Sequence, residues 1–349
     1  MTFDFRTRRQ MMRVAAACAA IAAIAVVLAP LARADAERLA AATPGADPEG
    51  ERVEFRLAPA DGTRFLQTLV TQRNRSLEGI GKEEARAIGQ TRYAIAQGED
   101  GFTYSGRLVS SETTRDGKTF DDPYGLVLTD VTVKLDVSLD GIVRRVHGYD
   151  GIRDRVKTLF SDEIATRLEP FVGSGVLAER AIADWRGRIG DYVGLTVSIG
   201  DTRTERQRYE IPGGGTIDYR VETRFAGWSP CDIGRCLRIE MRYDSRNDAR
   251  AESVIRGATL SEYENKPTGI KTASGKPAAA KRSDLPRIAG ASTRLVDPST
   301  MLIYSETEER TVWATLDIAG LGAVQLTEVS TITYSYEYEL TQAPSGNTK

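Results

Sequence analysis

The stretch from Val131 to Val146, VTVKLDVSLDGIVRRV, decides the fold class. Val131, Val133, Leu135, Val137 and Leu139 alternate with Thr132, Lys134, Asp136, Ser138 and Asp140. Successive side chains of an extended strand point to opposite faces, so a period of two describes a strand with one buried and one wet face. Asp140-Gly141 supplies residue types that accept positive φ, and Ile142, Val143 and Val146 carry the chain back. The segment therefore predicts a β-hairpin with a two-residue turn.

The same alternation recurs on both sides of this hairpin. Val53, Phe55 and Leu57 point one way, Arg64 to Ser76 continues the pattern, and Tyr93 with Ile95 shares a side with Phe102 and Tyr104 across Gly98-Glu99-Asp100-Gly101. Further on, Tyr209 and Ile211 lead through Pro212-Gly213-Gly214-Gly215 into Ile217, Tyr219, Val221, Thr223 and Phe225. Leu237, Ile239, Met241 and Tyr243 alternate again, and Met301 to Leu316 and Leu326 to Leu340 flank Gly320-Leu321-Gly322. On the last of these, Ile332, Tyr334, Tyr336, Tyr338 and Leu340 share one face.

Between the two β-rich halves the period changes. Val156, Leu159, Phe160, Ile164 and Leu168 fall at helical spacing until Glu169-Pro170 and Gly173. A second helix is predicted from Val176 through Ile189, with Leu177, Ala181, Trp185 and Ile189 on one face. About ten strands are too many for a flat sheet with one apolar face, which must bend and be covered. The expected fold is α+β, a large bent antiparallel sheet, unclosed and barrel-like, with a central pair of helices.

The N-terminus concerns destination. Arg6, Arg8, Arg9 and Arg13 precede an Ala-rich apolar run from Val14 to Leu31, and Ala32-Arg33-Ala34 offers the small residues of a signal-peptidase site. Thr7-Arg8-Arg9-Gln10-Met11-Met12-Arg13 resembles the twin-arginine translocation motif, the other reading being an ordinary basic start. An uncleaved anchor is the alternative to cleavage, because a run of this length can span a bilayer. The expected organisation is a signal peptide over 1–36, a flexible leader over 37–52 and a single β-rich domain over 53–341. That domain has its helical middle at 151–190 and a flexible loop at 265–287, and a disordered tail follows at 342–349. Export places the protein in the periplasm or outside the cell, with no stable membrane span once the signal is removed.

Composition narrows the partners. Lys and Arg number 47 against 49 Asp and Glu, so no basic excess suggests nucleic acid. Of three cysteines, Cys18 lies in the apolar run, leaving Cys231 and Cys236 with Gly234 between them. In an oxidising compartment these two are expected to close a local disulfide, a redox or metal pair being the other reading.

Catalytic signatures are scarce. The single histidine, His147, limits metal sites and confines any Ser-His-Asp triad to its own surroundings. Asp121-Asp122-Pro123-Tyr124-Gly125 carries two carboxylates suited to a calcium site or a hydrolase, or simply to a solvated turn. Gly173-Ser174-Gly175 is too short for a nucleophile elbow, and Gly213-Gly214-Gly215 lacks the Lys-Ser/Thr of a phosphate loop. No catalytic residue, metal or cofactor is expected.

The signal, the alternating aromatic and aliphatic strands, the Asp140-Gly141 hairpin and the helix between two β halves together resemble the unclosed β-barrels of bacterial exported lipid and lipoprotein carriers. The likeness is to an architecture and covers most of the mature chain. It implies an apolar concave face receiving acyl chains, lined here by Phe55, Tyr93, Phe102, Tyr104, Tyr334 and Tyr336, and an apolar or lipid ligand as partner. Plain core packing is the competing reading of these aromatics. Two other functions stay open: an envelope hydrolase using Asp121, Asp122 and Asp150, and a structural or assembly factor acting through strand edges.

Overall fold

Long runs of alternation become long strands in the computed structural model, which describes residues 50–211, 215–245, 286–318 and 322–339. The predicted signal, the leader up to residue 49, most of the 265–287 loop, the tail and the glycine turns at 212–214 and 319–321 lie outside the described residues. The first half contains β1 (Arg52–Glu54), β2 (Arg64–Leu77), β3 (Gly81–Gly98), β4 (Gly101–Arg115), β5 (Lys118–Phe120), β6 (Thr132–Ser138) and β7 (Val143–His147). The second contains β8 (Thr196–Ser198), β9 (Thr202–Ile211), β10 (Gly215–Cys231), β11 (Gly234–Asp244), β12 (Arg287–Asp297), β13 (Leu302–Ile318) and β14 (Gly322–Tyr338).

Twelve strands form one antiparallel sheet in the order β7-β6-β4-β3-β2-β14-β13-β12-β11-β10-β9, with β5 beside β4. It consists of two up-and-down meanders joined where the first long strand meets the last, Phe65 opposite Tyr338 and Leu77 opposite Leu326. Among the described residues no pairing joins β7 to β9, so the sheet is unclosed, as expected. β1 and β8 make a separate two-stranded ribbon, shorter than the strand expected from Val53 to Leu57, yet Phe55 and Leu57 are both buried.

The hairpin at Val131–Val146 forms with a different turn. Val137 pairs with Val143, the amide of Gly141 donates to the Ser138 carbonyl at 2.9 Å, and Gly141 alone takes positive φ, 82°. This is the three-residue loop in which a type I turn is followed by one left-handed residue. Leu139 and Ile142 consequently project into solvent.

The helical middle corrects the expected pair of helices. Residues 151–190 hold three, α2 (Ile152–Leu159), α3 (Asp162–Val172) and α4 (Ser174–Trp185), the last running into a wide π-helical turn, Arg186–Gly190. The first predicted helix is split because Phe160 is extended and Ser161 restarts the chain, its carbonyl accepting from the Ala165 amide at 2.8 Å. A shorter helix, α1 (Pro123–Leu128), replaces the turn read at Asp121–Gly125. Asp122 caps it and Pro123 sits in its first turn, a combination suited to a helix start.

Three apolar clusters share the interior. The largest lines one end of the concave face around Phe65, Ile95, Tyr104, Phe225, Ile239 and Ile303. A second joins α1 to α4 through Val127, Ile152, Val156, Leu168 and Leu177. The third, with Ile217, Ile288, Val312, Ala314 and Leu326, lines the opposite end of the concave face. Two inward positions are glycines under tyrosine rings. A Cβ on Gly106 would lie 2.7 Å from Tyr93, and one on Gly290 2.6 Å from Tyr243. Their missing side chains give those rings room where the sheet curves.

Candidate functional site

The register brings the predicted aromatics to one place. Tyr93, Ile95, Phe102 and Tyr104 share the concave face through the pairs Ile95–Tyr104 and Gln97–Phe102, and β14 adds Tyr334, Tyr336 and Tyr338 across from β2. Phe65 lies in the middle, stacked on Tyr93 at 4.9 Å between ring centres and tilted against Tyr338 at 5.0 Å and Tyr336 at 5.9 Å. Phe55 comes from outside the large sheet, on the segment after β1, and packs against Phe225 at 5.8 Å and Tyr192 at 5.9 Å. Phe55, Phe102, Tyr104 and Tyr336 are buried, and Tyr93 and Tyr334 are partly so.

The chain itself covers this aromatic floor. Trp185 at the end of α4 meets Tyr104 edge-on at 4.7 Å, and Ile189, Tyr192, Val193 and Leu195 join the same cluster. The cover is attached by polar contacts as much as by packing. Trp185 Nε1 donates to the Gly141 carbonyl at 2.8 Å, tying the end of α4 to the β6–β7 turn. Arg188 lies 3.9 Å over the Tyr334 ring and donates to the Tyr336 hydroxyl, which also accepts from Gln67 at 3.2 Å.

Below the cover sits a buried triad that alternation alone does not reveal. Arg188 donates twice to one oxygen of Glu306, at 2.8 and 3.0 Å, while Arg294 donates to the other at 2.8 Å and to the carbonyl of Arg188 at 2.9 Å. Burial would raise the Glu306 carboxyl, but the two guanidinium groups override it and hold it at about 2. Burial likewise works against the charge of Arg188 and is overcome by Glu306 and its neighbours, so its pKa stays well above the ordinary value. Tyr336 is pushed up to about 12, chiefly by burial.

Toward the far end the same face becomes a belt of charge. Arg73 reaches Glu83 at 3.5 Å and Glu328 at 4.0 Å, and Arg75 holds Glu328 at 2.7 Å. Arg115 reaches Glu83 at 3.5 Å. Glu308, two residues from Glu306 and on the same side of β13, accepts from the Tyr243 hydroxyl. Burial pushes Glu308 up to about 7 despite the nearby Arg310. The concave face thus runs from aromatic to charged to aliphatic along the strands. The sequence signal for the belt was present as inward-facing charges at alternating positions, Arg73 and Arg75 on β2 and Glu306, Glu308 and Arg310 on β13.

The remaining candidates lie apart. Cys231 and Cys236 are bonded to each other at the tip of the β10–β11 hairpin. His147 accepts or donates a hydrogen bond at 2.8 Å with Asp136, whose other oxygen accepts from Thr103 at 2.9 Å. The hydrogen bond to His147, followed by that from Thr103, lowers the Asp136 carboxyl. Asp122 spends its carboxylate on capping α1, accepting from the amides of Gly125 at 3.0 Å and Tyr124 at 3.3 Å, while Asp121 and Asp150 are exposed. Among the described residues no group of three or more His, Cys, Asp or Glu is placed to hold a metal, and no helix is long and apolar enough to cross a membrane.

No family model and no curated protein matches the chain. Solved structures give loose likenesses of β architecture. A structure concerned with lipid–protein interactions in lipovitellin aligns at a TM-score of 0.38 and 11% identity, over 82% of this chain. The chain spans only 26% of that lipovitellin chain. OpdQ of Pseudomonas aeruginosa aligns at 0.22 and 9% identity, over 80% of this chain and 100% of that one. DynF of the dynemicin biosynthesis pathway of Micromonospora chersina aligns at 0.19 and 8% identity, over 84% and 89%.

Proposed function

We propose that this protein is an exported, non-catalytic carrier of an apolar or amphipathic ligand, and that the segment from Trp185 to Leu195 is a cover over its binding face. The observation that carries the reading is how that cover is fastened. The covering segment packs Trp185, Ile189, Tyr192, Val193 and Leu195 onto the aromatic floor, and directional bonds fasten it as well, those of Arg188, Arg294 and Trp185 and the backbone bonds of Gly194 and Leu195 with Phe55. Such bonds are exchanged for water when the segment opens locally, so the segment can lift while the sheet stays intact. Lifting it bares Phe65, Tyr93, Tyr104, Tyr334 and Tyr336 as one apolar trough, a surface suited to an acyl chain. The charged belt next to the trough would meet the polar end of an amphipathic ligand.

The test is uptake of a fluorescent fatty-acid probe by the purified protein, paired with mass spectrometry of lipids extracted from protein isolated from its native envelope. A carrier takes up the probe saturably and retains lipid from the cell. Absence of both, under conditions where the protein is folded, removes the reading and leaves the aromatic face as core.

A further inference from the structure

At the edge of the sheet, β2, β3, β4 and the turn entering β6 border an open cleft of about 590 Å³. That volume falls in the range of about 300–1,000 Å³ usual for small-molecule sites. Its walls include Arg64, Arg92, Arg107, Ser105, Asp130 and Thr132, and Tyr93 and Gly106 also border it. Phe65, Tyr93 and Tyr104 point inward, so the residues alternating with them, Arg64, Arg92 and Ser105, point out into this cleft.

The register makes the cleft electrostatically uncomfortable. Arg92 stands directly opposite Arg107 on the neighbouring strand, a like-charge pairing that destabilises an antiparallel sheet. Arg107 is partly offset by the exposed Asp130, to which it donates at 2.6 and 3.2 Å. Asp130 is fixed for this by a left-handed backbone, φ 66°, and by the hydrogen bond its amide donates to the Leu108 carbonyl at 2.9 Å. Arg64 and Arg92 form no ion pair among the described residues, and Glu339 at the rim is exposed.

We infer that this cleft binds a phosphate monoester, held by the guanidinium groups of Arg64 and Arg92 with the hydroxyls of Ser105 and Thr132 as neutral donors. Guanidinium forks match phosphate oxygens in pairs, and a monoester carries close to the two negative charges that two uncompensated arginines require. A simple carboxylate would satisfy only one of them. Occupancy would also relieve the repulsion between Arg92 and Arg107, which ties ligand binding to stability. The arginines point away from the aromatic trough, and the site does not depend on the carrier reading.

The experiment measures calorimetric binding and melting temperature with glycerol phosphate and with dihexanoyl phosphatidic acid, against sodium chloride at matched ionic strength. The wild type should bind saturably and melt higher in the phosphate compound than in chloride. Arg64→Gln and Arg92→Gln, both at exposed positions, should each weaken binding by about tenfold or more, as expected for loss of a charge-assisted hydrogen-bonding group. In phosphate-free buffer Arg92→Gln should melt no lower than the wild type, because it removes a like-charge neighbour. Binding of glycerol phosphate supports a soluble phosphate as the ligand, and binding of the dihexanoyl lipid alone supports a lipid headgroup. A melting temperature no higher in either compound than in chloride, or equal binding by wild type and both variants, overturns the inference.

Discussion

Replacing Glu306 with Gln tests the polar fastening of the cover directly. The change keeps the shape and one acceptor oxygen but removes the charge that Arg188 and Arg294 share, leaving two guanidinium groups buried around a neutral amide. Breaking a buried ion pair on one side costs about 3–5 kcal/mol, because the partner charge is stranded. The pH dependence gives an independent magnitude. The carboxyl is held at about 2 in the folded protein against an ordinary value of 4.5. A depressed carboxylate contributes stability that is present above the unfolded value and is lost as pH falls through the folded one. The contribution is about 3 kcal/mol, fading between pH 4.5 and 2. Urea unfolding at pH 7, 5 and 3, followed by tryptophan fluorescence, reads both effects. The variant should be at least about 3 kcal/mol less stable at pH 7 and should lack this acid-side loss. A variant within about 1 kcal/mol of wild type at pH 7, or one with the same acid slope, refutes the argument that this triad holds the cover down.

Glu308 should behave with the opposite sign. Its folded pKa is raised to about 7, so its contribution is intact below 4.5 and is lost as pH rises from there to 7. Glu308→Gln should therefore be neutral or stabilising at pH 8 and flatten the decline over that window in the same urea titration. Tyr336→Phe should cost about 1 kcal/mol for the bonds from Arg188 and Gln67, and Tyr336→Ala about 3 kcal/mol or more. If the carrier reading holds, Tyr336→Ala also weakens uptake of the fatty-acid probe, whereas Tyr336→Phe leaves it near wild type. Reducing the Cys231–Cys236 bond should lower stability by about 2 kcal/mol on the loop-entropy account, read as a fall in melting temperature on adding reductant. Changing Arg8 and Arg9 together to Lys should leave precursor in the cytoplasm if the twin-arginine reading holds, scored by cell fractionation, and normal export would leave only the general route.

Period and turn chemistry carried most of the architecture. Alternation at Tyr93–Tyr104 and Ile332–Tyr338 placed the right side chains on the right face, because a sheet face is fixed by parity alone. Parity is silent about what lies opposite that face, so the contact of Trp185 with Tyr104 and of Arg188 with Tyr334 could not be read from it. The helical middle was legible as helical but not in its divisions. Phe160 and Ile164 fall at helical spacing on either side of Ser161, whose role as a start outweighs their periodicity. Asp122 was visible as one of two adjacent carboxylates, and only the amides of Tyr124 and Gly125 distinguish a helix cap from a catalytic acid. The triad escaped for a different reason. Arg294 and Glu306 face each other across the β12–β13 hairpin, but Arg188 comes from the distant helical middle, and the chain carries 47 basic residues from which to choose.

The junction between β2 and β14 bears on how the chain acquires its shape. Most other neighbours in the large sheet lie close along the polypeptide and can zip up from their own turns, the longer exception being β11 and β12, which end at Asp244 and begin at Arg287. The pairing of Phe65 with Tyr338 instead joins residues from opposite ends of the domain, and Arg75 and Glu328, 253 positions apart, bond across it. Ring closure over so long a stretch is slow compared with hairpin formation, and it cannot begin until the last strand has been synthesised. A growing chain therefore presents two half-sheets whose inner strands are both unpaired, with the tyrosines of one and the arginines of the other open to mispairing or to capture by a chaperone. Loss of the last strand by truncation would leave that exposure permanent.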